Sequence, residues 1–371
     1  MTEAFTVEDA SEPLSFASWN ANGLLNRIRD KSDPNGRRTR ALLALSENVM
    51  RKRPDVIALQ EVWLKCEEMG KGTGKWDHAK MGAEDKKLRD EKAFIEALMG
   101  RRPFKNYDAY YCLANARRAG VITMVKKCLA KPIRVARTLA LDGRDVTPDE
   151  IDTNEGRVLM LEYEKMIVLN TYVPHNGSNA ERYEKRALWD FRVQRFLENY
   201  RGKKDVVWMG DLNVAHQDHD VGPSPRLFEG VGGFTLPERR RFTDILAATD
   251  MVDTYRAFNG DRLTYTWRST RGQGLDGWQG MRLDYFVVPR KLVARIKSCE
   301  TSTDRFDDTT AQSMPMSCFM DSDHCMIHLS LHKREDDDDE GENEDEDEEE
   351  NARRAKQQKL DRDADVILIS D

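Results

Sequence analysis

The chain contains a series of short apolar runs, most of them followed at once by polar side chains. The clearest run, Val-Val-Trp-Met at 206–209, is followed by Gly210, Asp211 and Asn213. A short run of this kind bounded by glycine is typical of a buried β-strand. Side chains at i and i+2 lie on the same side of a strand, so the pattern predicts that Asp211 and Asn213 converge on one atom. An ordinary strand followed by an Asp-Asn turn is the alternative that this stretch alone leaves open.

Similar runs recur along the chain and predict further elements. Helical periodicity predicts helices over 39–50, about 85–99 and 181–199. Strands are predicted over 14–19, 54–61, 121–125, 158–163, 166–173, 206–213, 263–267, 283–289 and 325–332. Many strands with few intervening helices indicate two packed β-sheets flanked by helices, which is an α+β fold.

The charge of the chain is divided unevenly. The formal net charge is -7, but fourteen of the sixteen residues from Glu335 to Glu350 are acidic, so the preceding part of the chain is mildly basic. A basic body is compatible with a polyanionic substrate. The acidic segment is too charged to bury a core, which predicts a disordered tail over 334–371. For the rest of the chain we predict a flexible N-terminal arm over 1–13, where no periodic pattern is found, and one large domain over 14–333.

Composition also narrows the class of protein. The chain has no apolar run long enough to span a bilayer and begins with an acidic segment, so we expect an intracellular protein without a membrane partner. The six cysteines are scattered and indicate neither a disulfide framework nor a structural zinc site. Residues 65–106 are rich in charge and predict a surface insertion that contains a helix; a DNA-contacting loop is the alternative to a solvated face.

Polar side chains stand at six predicted strand ends. They are Asn20 with Asn22, Glu61, Tyr172, Asp211 with Asn213, Asp284, and Asp323 with His324. Glu61, Asp323 and Asn22 supply the hard oxygen ligands that Mg²⁺ or Mn²⁺ prefers. A metal held there would polarise a phosphoryl oxygen and stabilise a leaving alkoxide, so the set predicts a phosphodiesterase.

The ordered motifs resemble the exonuclease-endonuclease-phosphatase superfamily, and within it the apurinic/apyrimidinic (AP) endonucleases of the exonuclease III type. The motifs are Trp19-Asn20-Ala21-Asn22-Gly23, Leu59-Gln60-Glu61, Asn170-Thr171-Tyr172-Val173-Pro174, Gly210-Asp211-Leu212-Asn213, Arg282-Leu283-Asp284-Tyr285 and Ser322-Asp323-His324. The stretches Glu155-Gly156-Arg157 and 233–240 point to the AP endonuclease branch. The resemblance covers about residues 14–332 and implies a four-layer α/β sandwich with mostly antiparallel sheets.

The resemblance implies a role for each motif residue. Asp211 would orient or deprotonate the attacking water, and Asn213 would help to position it. His324, oriented by Asp284, would bind a phosphate oxygen; it is also the alternative to Asp211 as the base. The Tyr172 hydroxyl would face the scissile phosphate. Glu61, Asn22, Asp323 and Asn20 would hold Mg²⁺ or Mn²⁺.

Substrate contacts follow from the same resemblance. Trp267, Met281 and Leu283 match the apolar pocket that holds a flipped abasic sugar, and Arg157 and His175 are further candidate substrate contacts. Met281 departs from the family, which often has an aromatic residue there, and Asn22 stands where some members have Asp. The implied activity is hydrolysis of double-stranded DNA 5′ to abasic sites in base excision repair, with a 3′ exonuclease or 3′ phosphodiesterase side activity.

Two other kinds of function stay open at this point. A tyrosyl-DNA phosphodiesterase or a retroelement endonuclease would use the same catalytic groups, and a catalytically inactive scaffold recruited through its tail is the non-enzyme alternative. The tail ends in four branched aliphatic residues between acids, at 366–369, which resemble a SUMO-interacting motif. The alternative is that these four residues dock on the large domain of the same chain. We expect a monomer located in the nucleus.

Overall fold

The computed structural model describes residues 11–28, 39–64, 86–114, 118–141, 155–177, 179–222, 224–269, 279–304 and 316–334. Most of the predicted arm, the first part of the predicted insertion, and the acidic tail with its motif at 366–369 lie outside these residues. The described residues up to Leu331 belong to one compact unit. Within the described ranges, no helix is long and apolar enough to cross a membrane.

Two six-stranded sheets form the centre of the unit. The strands of the first sheet are β1 (Ser15–Asn20), β2 (Val56–Gln60), β3 (Tyr107–Cys112), β4 (Val121–Lys126), β14 (Ile296–Thr301) and β15 (Ile327–Leu331). Their order in the sheet is β14-β15-β1-β2-β4-β3, and only β1 and β2 are parallel.

The second sheet has its own parallel pair. Its strands are β5 (Arg134–Ala136), β6 (Val158–Glu162), β7 (Met166–Tyr172), β8 (Asp205–Asp211), β10 (Met251–Asp253) and β13 (Asp284–Pro289). Their order is β10-β13-β8-β7-β6-β5, and β7 and β8 are parallel. A small third sheet consists of β9 (Val221–Gly222), β11 (Trp267–Arg268) and β12 (Gly280–Met281), in the order β11-β12-β9.

Helices cover the outer faces of the two large sheets. They are α1 (Leu24–Ile28), α2 (Arg40–Lys52), α3 (Lys86–Met99), α4 (Ala180–Tyr200) and α5 (Leu236–Thr249). The short helix α6 (Thr254–Asn259) instead packs through Tyr255 into the cluster between the sheets. One apolar cluster, including Phe16 and Val207, lies between the sheets; a second lies under α2 and a third under α4 and α5. The layers are therefore helix, sheet, sheet and helix, which confirms the predicted α+β four-layer sandwich with mostly antiparallel sheets.

Local signals explain where several helices begin. The Thr39 hydroxyl accepts a hydrogen bond from the Leu42 N–H over 3.1 Å at the start of α2, and the Asn179 side chain does the same for Arg182 at the start of α4. Thr235 and Glu238 form a capping box at the start of α5. This capping box lies in the stretch 233–240 that pointed to the AP endonuclease branch.

Two predictions about elements need correction. Residues 263–267 are not a strand: only Trp267 belongs to β11, because the threonines before it are held by side-chain hydrogen bonds, such as that of Thr264 with Thr301. The segment 86–106 is more than a solvated face, since Ile95 and Phe104 are buried in the cluster under α2. The pattern also missed β3, β5, β10 and β14, which are short or have half-buried, mixed side chains.

Candidate active site

The polar strand ends meet at one edge of the two large sheets. The first sheet contributes Asn20 at the end of β1, Glu61 after β2 and His324 before β15; the second contributes Asp211 at the end of β8 and Asp284 at the start of β13. An antiparallel strand begins at the edge where its neighbour ends, so residues from strand starts and strand ends can share this edge. The predicted constellation therefore lies together in the fold.

Asn20 connects the two sheets at this edge. Its side chain is fully buried, and its amide donates to Glu61 Oε1 over 3.0 Å and to Asp211 Oδ2 over 2.9 Å. Its Oδ1 accepts from the Asn22 N–H over 2.9 Å. Asn20 thus links a predicted metal carboxylate with the predicted base, and its own role as a metal ligand stays a prediction.

Asp211 lies at the centre of the set. It is paired in register with Tyr172 on one side and Asp284 on the other, and it is 1% exposed. Gly210, immediately before it, has φ +131°, and a Cβ there would lie 2.0 Å from the Thr171 carbonyl oxygen. Only glycine lets β8 approach β7 this closely at the residue that delivers Asp211.

Asn213 reaches Asp211 by a different route from the predicted one. The strand ends at Asp211, and Asn213 has φ 49°, so strand alternation does not align the two residues. Its backbone N–H donates to Asp211 Oδ1 over 2.9 Å, and its side-chain amide donates to the Val173 carbonyl over 2.9 Å. The two residues do converge, but through a turn in the left-handed region that asparagine tolerates.

His324 forms a chain of contacts with two carboxylates. Its Nδ1 lies 2.8 Å from Asp284 Oδ2, and its Nε2 lies 3.9 Å from Asp211 Oδ2. Burial opposes protonation of the ring, but Asp284 and Asp211 outweigh it and raise the pKa of His324. Burial also raises the pKa of Asp211, against the lowering effect of His324. The result is a cationic imidazole beside a carboxylate that accepts a proton more readily than usual.

Tyr172 and Arg157 form a second pair at this edge. The Arg157 guanidinium lies over the Tyr172 ring, 4.5 Å from its centroid, donates to the Tyr172 carbonyl over 3.0 Å, and is paired with Glu155. Burial and the Glu61 carboxylate raise the pKa of Tyr172 well above its ordinary value, so its hydroxyl stays neutral and can donate. His175, by contrast, is exposed and accepts from the Gly177 N–H over 3.0 Å.

The predicted metal ligands are held by N–H donors. Asn22 Nδ2 donates to Asp323 Oδ1 over 2.7 Å, and indole N–H groups donate to Glu61 Oε2 and Asp323 Oδ2. Each carboxylate oxygen keeps further lone pairs, and the side-chain Oδ1 of Asn22 keeps its acceptor capacity. In the described ranges no three His, Cys, Asp or Glu side chains form a metal-binding group, so the set depends on two carboxylates and amide oxygens. Such oxygens fit Mg²⁺ or Mn²⁺.

Backbone strain concentrates at the same residues. Asn22, Glu61 and Asn213, each just beyond a strand, have φ values of 43°, 48° and 49°. A non-glycine residue held in this region costs about 1–3 kcal/mol and persists only where its surroundings fix it. Asparagine tolerates this region better than glutamate does, so the cost is greatest at Glu61.

An apolar cluster, at the place of the predicted sugar pocket, adjoins the catalytic set. Met281 and Leu283, both buried, belong to this cluster, and Trp267 packs against it; their contact with a sugar stays a prediction. Sequence patterns did not place Phe228 in this cluster, and Phe234 counted only as part of the stretch 233–240; the two rings meet edge to face in the cluster at 6.3 Å. The available signal for the pair was an aromatic residue on either side of a glycine-rich loop.

A buried arginine braces the turn after β8. Arg186 of α4 is 2% exposed and donates to the carbonyls of Leu212 and Asn213 over 3.1 and 2.9 Å. Its charge is balanced by Asp190, 2.8 Å away on the same helix. Hydrophobic periodicity could not indicate this role, because an arginine within an amphipathic helix predicts a solvated side chain.

A buried ion network holds the segment between the pocket and Asp284. Arg282 is 1% exposed and donates to Asp220 Oδ1 over 2.7 Å and Oδ2 over 3.1 Å, and it also pairs with Asp253. Arg256 provides a second cation for Asp220. The network fixes the backbone that presents Met281 and Leu283 to the pocket and Asp284 to His324.

Comparisons with known proteins show the family of the chain. Residues 17–324 match the model of the Endonuclease/Exonuclease/phosphatase family. A DNA-(apurinic or apyrimidinic site) endonuclease of Arabidopsis thaliana is 33% identical over 345 residues, which cover 88% of this chain and 87% of that protein. A protein of the same name from Plasmodium berghei is 27% identical, and the match spans 63% of its length. The solved AP endonuclease from Leishmania major superposes with a TM-score of 0.61 at 23% identity, covering 90% of this chain and 92% of that one.

Proposed function

Because this chain belongs to the Endonuclease/Exonuclease/phosphatase family, we propose that it cuts double-stranded DNA 5′ to abasic sites in base excision repair and leaves a 3′ hydroxyl. The chain is a hydrolase of this family, and its resemblance to the AP endonuclease type is confirmed by its relatives. The family and its relatives indicate a DNA repair phosphodiesterase; the side of cleavage and a 3′ exonuclease or 3′ phosphodiesterase side activity belong to the proposal.

One observation carries the proposal: the apolar cluster of Met281, Leu283 and Trp267 lies directly beside the catalytic set. Leu283 of the pocket directly precedes Asp284, and the indole of Trp267 donates to Asp323 Oδ2 over 3.1 Å. A flipped abasic sugar has no base to fill space, so a small apolar pocket selects it from an intact nucleotide. A sugar held there places its phosphate beside Asp211 and His324.

Glu61 and Asp323, with Asn22 and Asn20, are the residues that would hold Mg²⁺ or Mn²⁺. When bound, such an ion polarises a phosphoryl oxygen and stabilises the developing charge of the leaving 3′ oxygen. The donor set supports this assignment because it offers hard oxygens and lacks the histidine and cysteine ligands that zinc prefers.

The charges of the remaining groups support a division of roles. A protonated His324, held by Asp284, donates to a phosphate oxygen and cannot accept a proton from water. Asp211 is then the group that takes the proton from the attacking water, and its raised pKa suits a general base. Asn213 positions the Asp211 carboxylate through its N–H, and Tyr172 offers a neutral hydroxyl donor to the same phosphate.

Cleavage of a duplex that contains one tetrahydrofuran abasic analogue tests the proposal. We expect incision on the 5′ side of the analogue with Mg²⁺ or Mn²⁺, no incision of the undamaged duplex, and complete loss of cleavage in excess EDTA. Cleavage that persists in EDTA would contradict metal dependence.

The same assay separates the alternative functions. A tyrosyl-DNA phosphodiesterase would prefer an oligonucleotide with a tyrosyl-phosphate end, and a retroelement endonuclease would cut undamaged DNA. A scaffold would cut none of the three substrates. The apolar cluster beside the catalytic set supports the abasic substrate over the other two.

The proposal also covers the tail, the cellular location and the assembly state of the protein. We propose a monomer in the nucleus whose residues 366–369 bind SUMO, because four branched aliphatics between acids can add as a strand to a sheet edge with a basic rim. SUMO should shift the amide NMR signals of Val366 to Ile369 in the full chain. Unchanged signals at saturating SUMO would contradict binding by this motif. A variant with Ile367 and Ile369 changed to alanine is the control, and its signals should not shift.

A further inference from the structure

Two tryptophans contact the predicted metal carboxylates, one on each. The Nε1–H of Trp63 donates to Glu61 Oε2 over 3.1 Å, and the Nε1–H of Trp267 donates to Asp323 Oδ2 over 3.1 Å. Trp63 follows β2 of the first large sheet, and Trp267 belongs to β11 of the small third sheet. Two unrelated segments therefore deliver the same donor to equivalent positions on the two acids.

The Trp63 ring has a fixed place between two turns. Its backbone has φ 54°, and its N–H donates to the Ala119 carbonyl over 3.0 Å. The ring lies against Gly23, where an added Cβ would be 2.7 Å from Trp63 Cε3. Gly23 in turn donates its N–H to the Glu61 carbonyl over 2.7 Å. The indole is thus confined by the turn beyond β1 and aimed at the Glu61 side chain.

Trp267 touches both the pocket and the metal carboxylate. Its ring packs against the apolar cluster of Met281 and Leu283, and its backbone is bridged to His324. The neighbouring Arg268 N–H donates to the Asp323 carbonyl over 2.9 Å. The segment therefore fixes the backbone of Asp323 as well as its side chain.

We propose that Trp63 and Trp267 are positioning residues that orient Glu61 and Asp323 for the metal, an inference that rests on the proposed function. A carboxylate rotates readily, and the indole N–H on one oxygen, together with the Asn20 or Asn22 amide on the other, limits this rotation and leaves the remaining lone pairs for an ion. Hydrogen-bond partners of metal ligands typically change metal affinity by about 10- to 100-fold when removed. The roles are separable, because each indole acts on a different carboxylate.

Metal binding to the full chain without DNA tests the proposal. Mn²⁺ is titrated and the free ion is measured by electron paramagnetic resonance, with Glu61→Gln as the background for ions held elsewhere. Trp63→Phe keeps an aromatic ring, though a smaller one, and removes the N–H, so it should raise the Mn²⁺ dissociation constant about tenfold. Trp189→Phe is the matched control: Trp189 is 1% exposed, and its Nε1 has no hydrogen-bond partner among the described residues, so Mn²⁺ binding should not change.

Combined variants separate positioning from a general structural effect. Trp63→Phe should have no further effect on Mn²⁺ binding in a Glu61→Gln chain, and Trp267→Phe should have none in an Asp323→Asn chain. Wild-type binding by both tryptophan variants, or an undiminished loss in the combined variants, overturns the inference alone. Wild-type Mn²⁺ binding by Glu61→Gln overturns both the inference and the metal site of the proposed function.

Discussion

Replacing Asp211 by asparagine should lower the rate of incision at an abasic site by about 10²- to 10⁴-fold, the usual contribution of a general base. The change is almost isosteric, so the contact with the Asn213 N–H can persist while proton acceptance is lost. Binding of the duplex should remain, because the lost interaction acts mainly in the transition state. Single-turnover incision and fluorescence anisotropy in EDTA measure the two effects separately.

Asp205→Asn is the matched control for this variant. Asp205 begins the strand that Asp211 ends, and its carboxylate pairs with the exposed Lys291, 2.6 Å away. The incision rate of Asp205→Asn should equal that of the wild type at a temperature where both chains are folded. Near-normal single-turnover incision by Asp211→Asn would show that another group accepts the proton.

Replacing Asp220 by asparagine should have the largest effect on stability. Asp220 is fully buried, and its carboxylate is shared by Arg282 and Arg256. Removing one partner of a buried ion pair leaves uncompensated charge and typically costs about 3–5 kcal/mol. The free energy of unfolding from urea titration at neutral pH should fall by this amount. Pocket geometry should loosen as well, because Arg282 anchors the segment that carries Met281 and Leu283.

The Asp220 carboxylate should also make the free energy of unfolding depend on pH. Burial alone would raise the pKa of Asp220, but Arg282 and Arg256 outweigh it and lower the pKa below its ordinary range. The folded state then binds fewer protons than the unfolded state, so this stabilisation is complete above the unfolded pKa of about 4 and is lost as the pH falls towards the folded value. The difference between the wild type and Asp220→Asn should therefore shrink below about pH 4.

Asp250→Asn is the surface comparison. Asp250 pairs with Arg290 over 2.9 Å, but both side chains are at least half exposed. Its backbone lies in the left-handed region, which asparagine also tolerates, so the change should cost less than about 1 kcal/mol at any pH. Equal losses for the two variants would show that the buried network does not carry the stability assigned to it.

The sequence identified most of the site because strand ends leave a simple signature. Apolar runs that stop at Asn20, Glu61 and Asp211 indicate where each chain segment reaches the sheet edge, and the structure brings these residues together. The fold class followed from the same runs. The prediction that strand alternation aligns Asn213 with Asp211 was nevertheless wrong. The chain leaves the strand before Asn213, whose φ is 49°, and hydrophobic periodicity carries no signal for a single residue in this conformation.

Residues that act through distant contacts could not be identified in this way. Trp63 stands beside a highly charged stretch, and nothing in its neighbours indicates that its indole turns back to Glu61. Arg186 looks like a solvated helix residue, and its burial depends on the turn beyond β8 that it supports. The ion network joins Asp220, Asp253 and Arg282, which are brought together only by tertiary packing.

The left-handed backbone at Glu61 means that the residue best suited to the backbone is not the residue that the catalytic edge requires. Glycine adopts this conformation without strain, so backbone strain alone would favour the substitution Glu61→Gly. The same substitution would remove a carboxylate from the catalytic edge. Engineering for thermal tolerance should therefore exclude position 61 and look instead to surface positions, where replacements leave the catalytic edge intact.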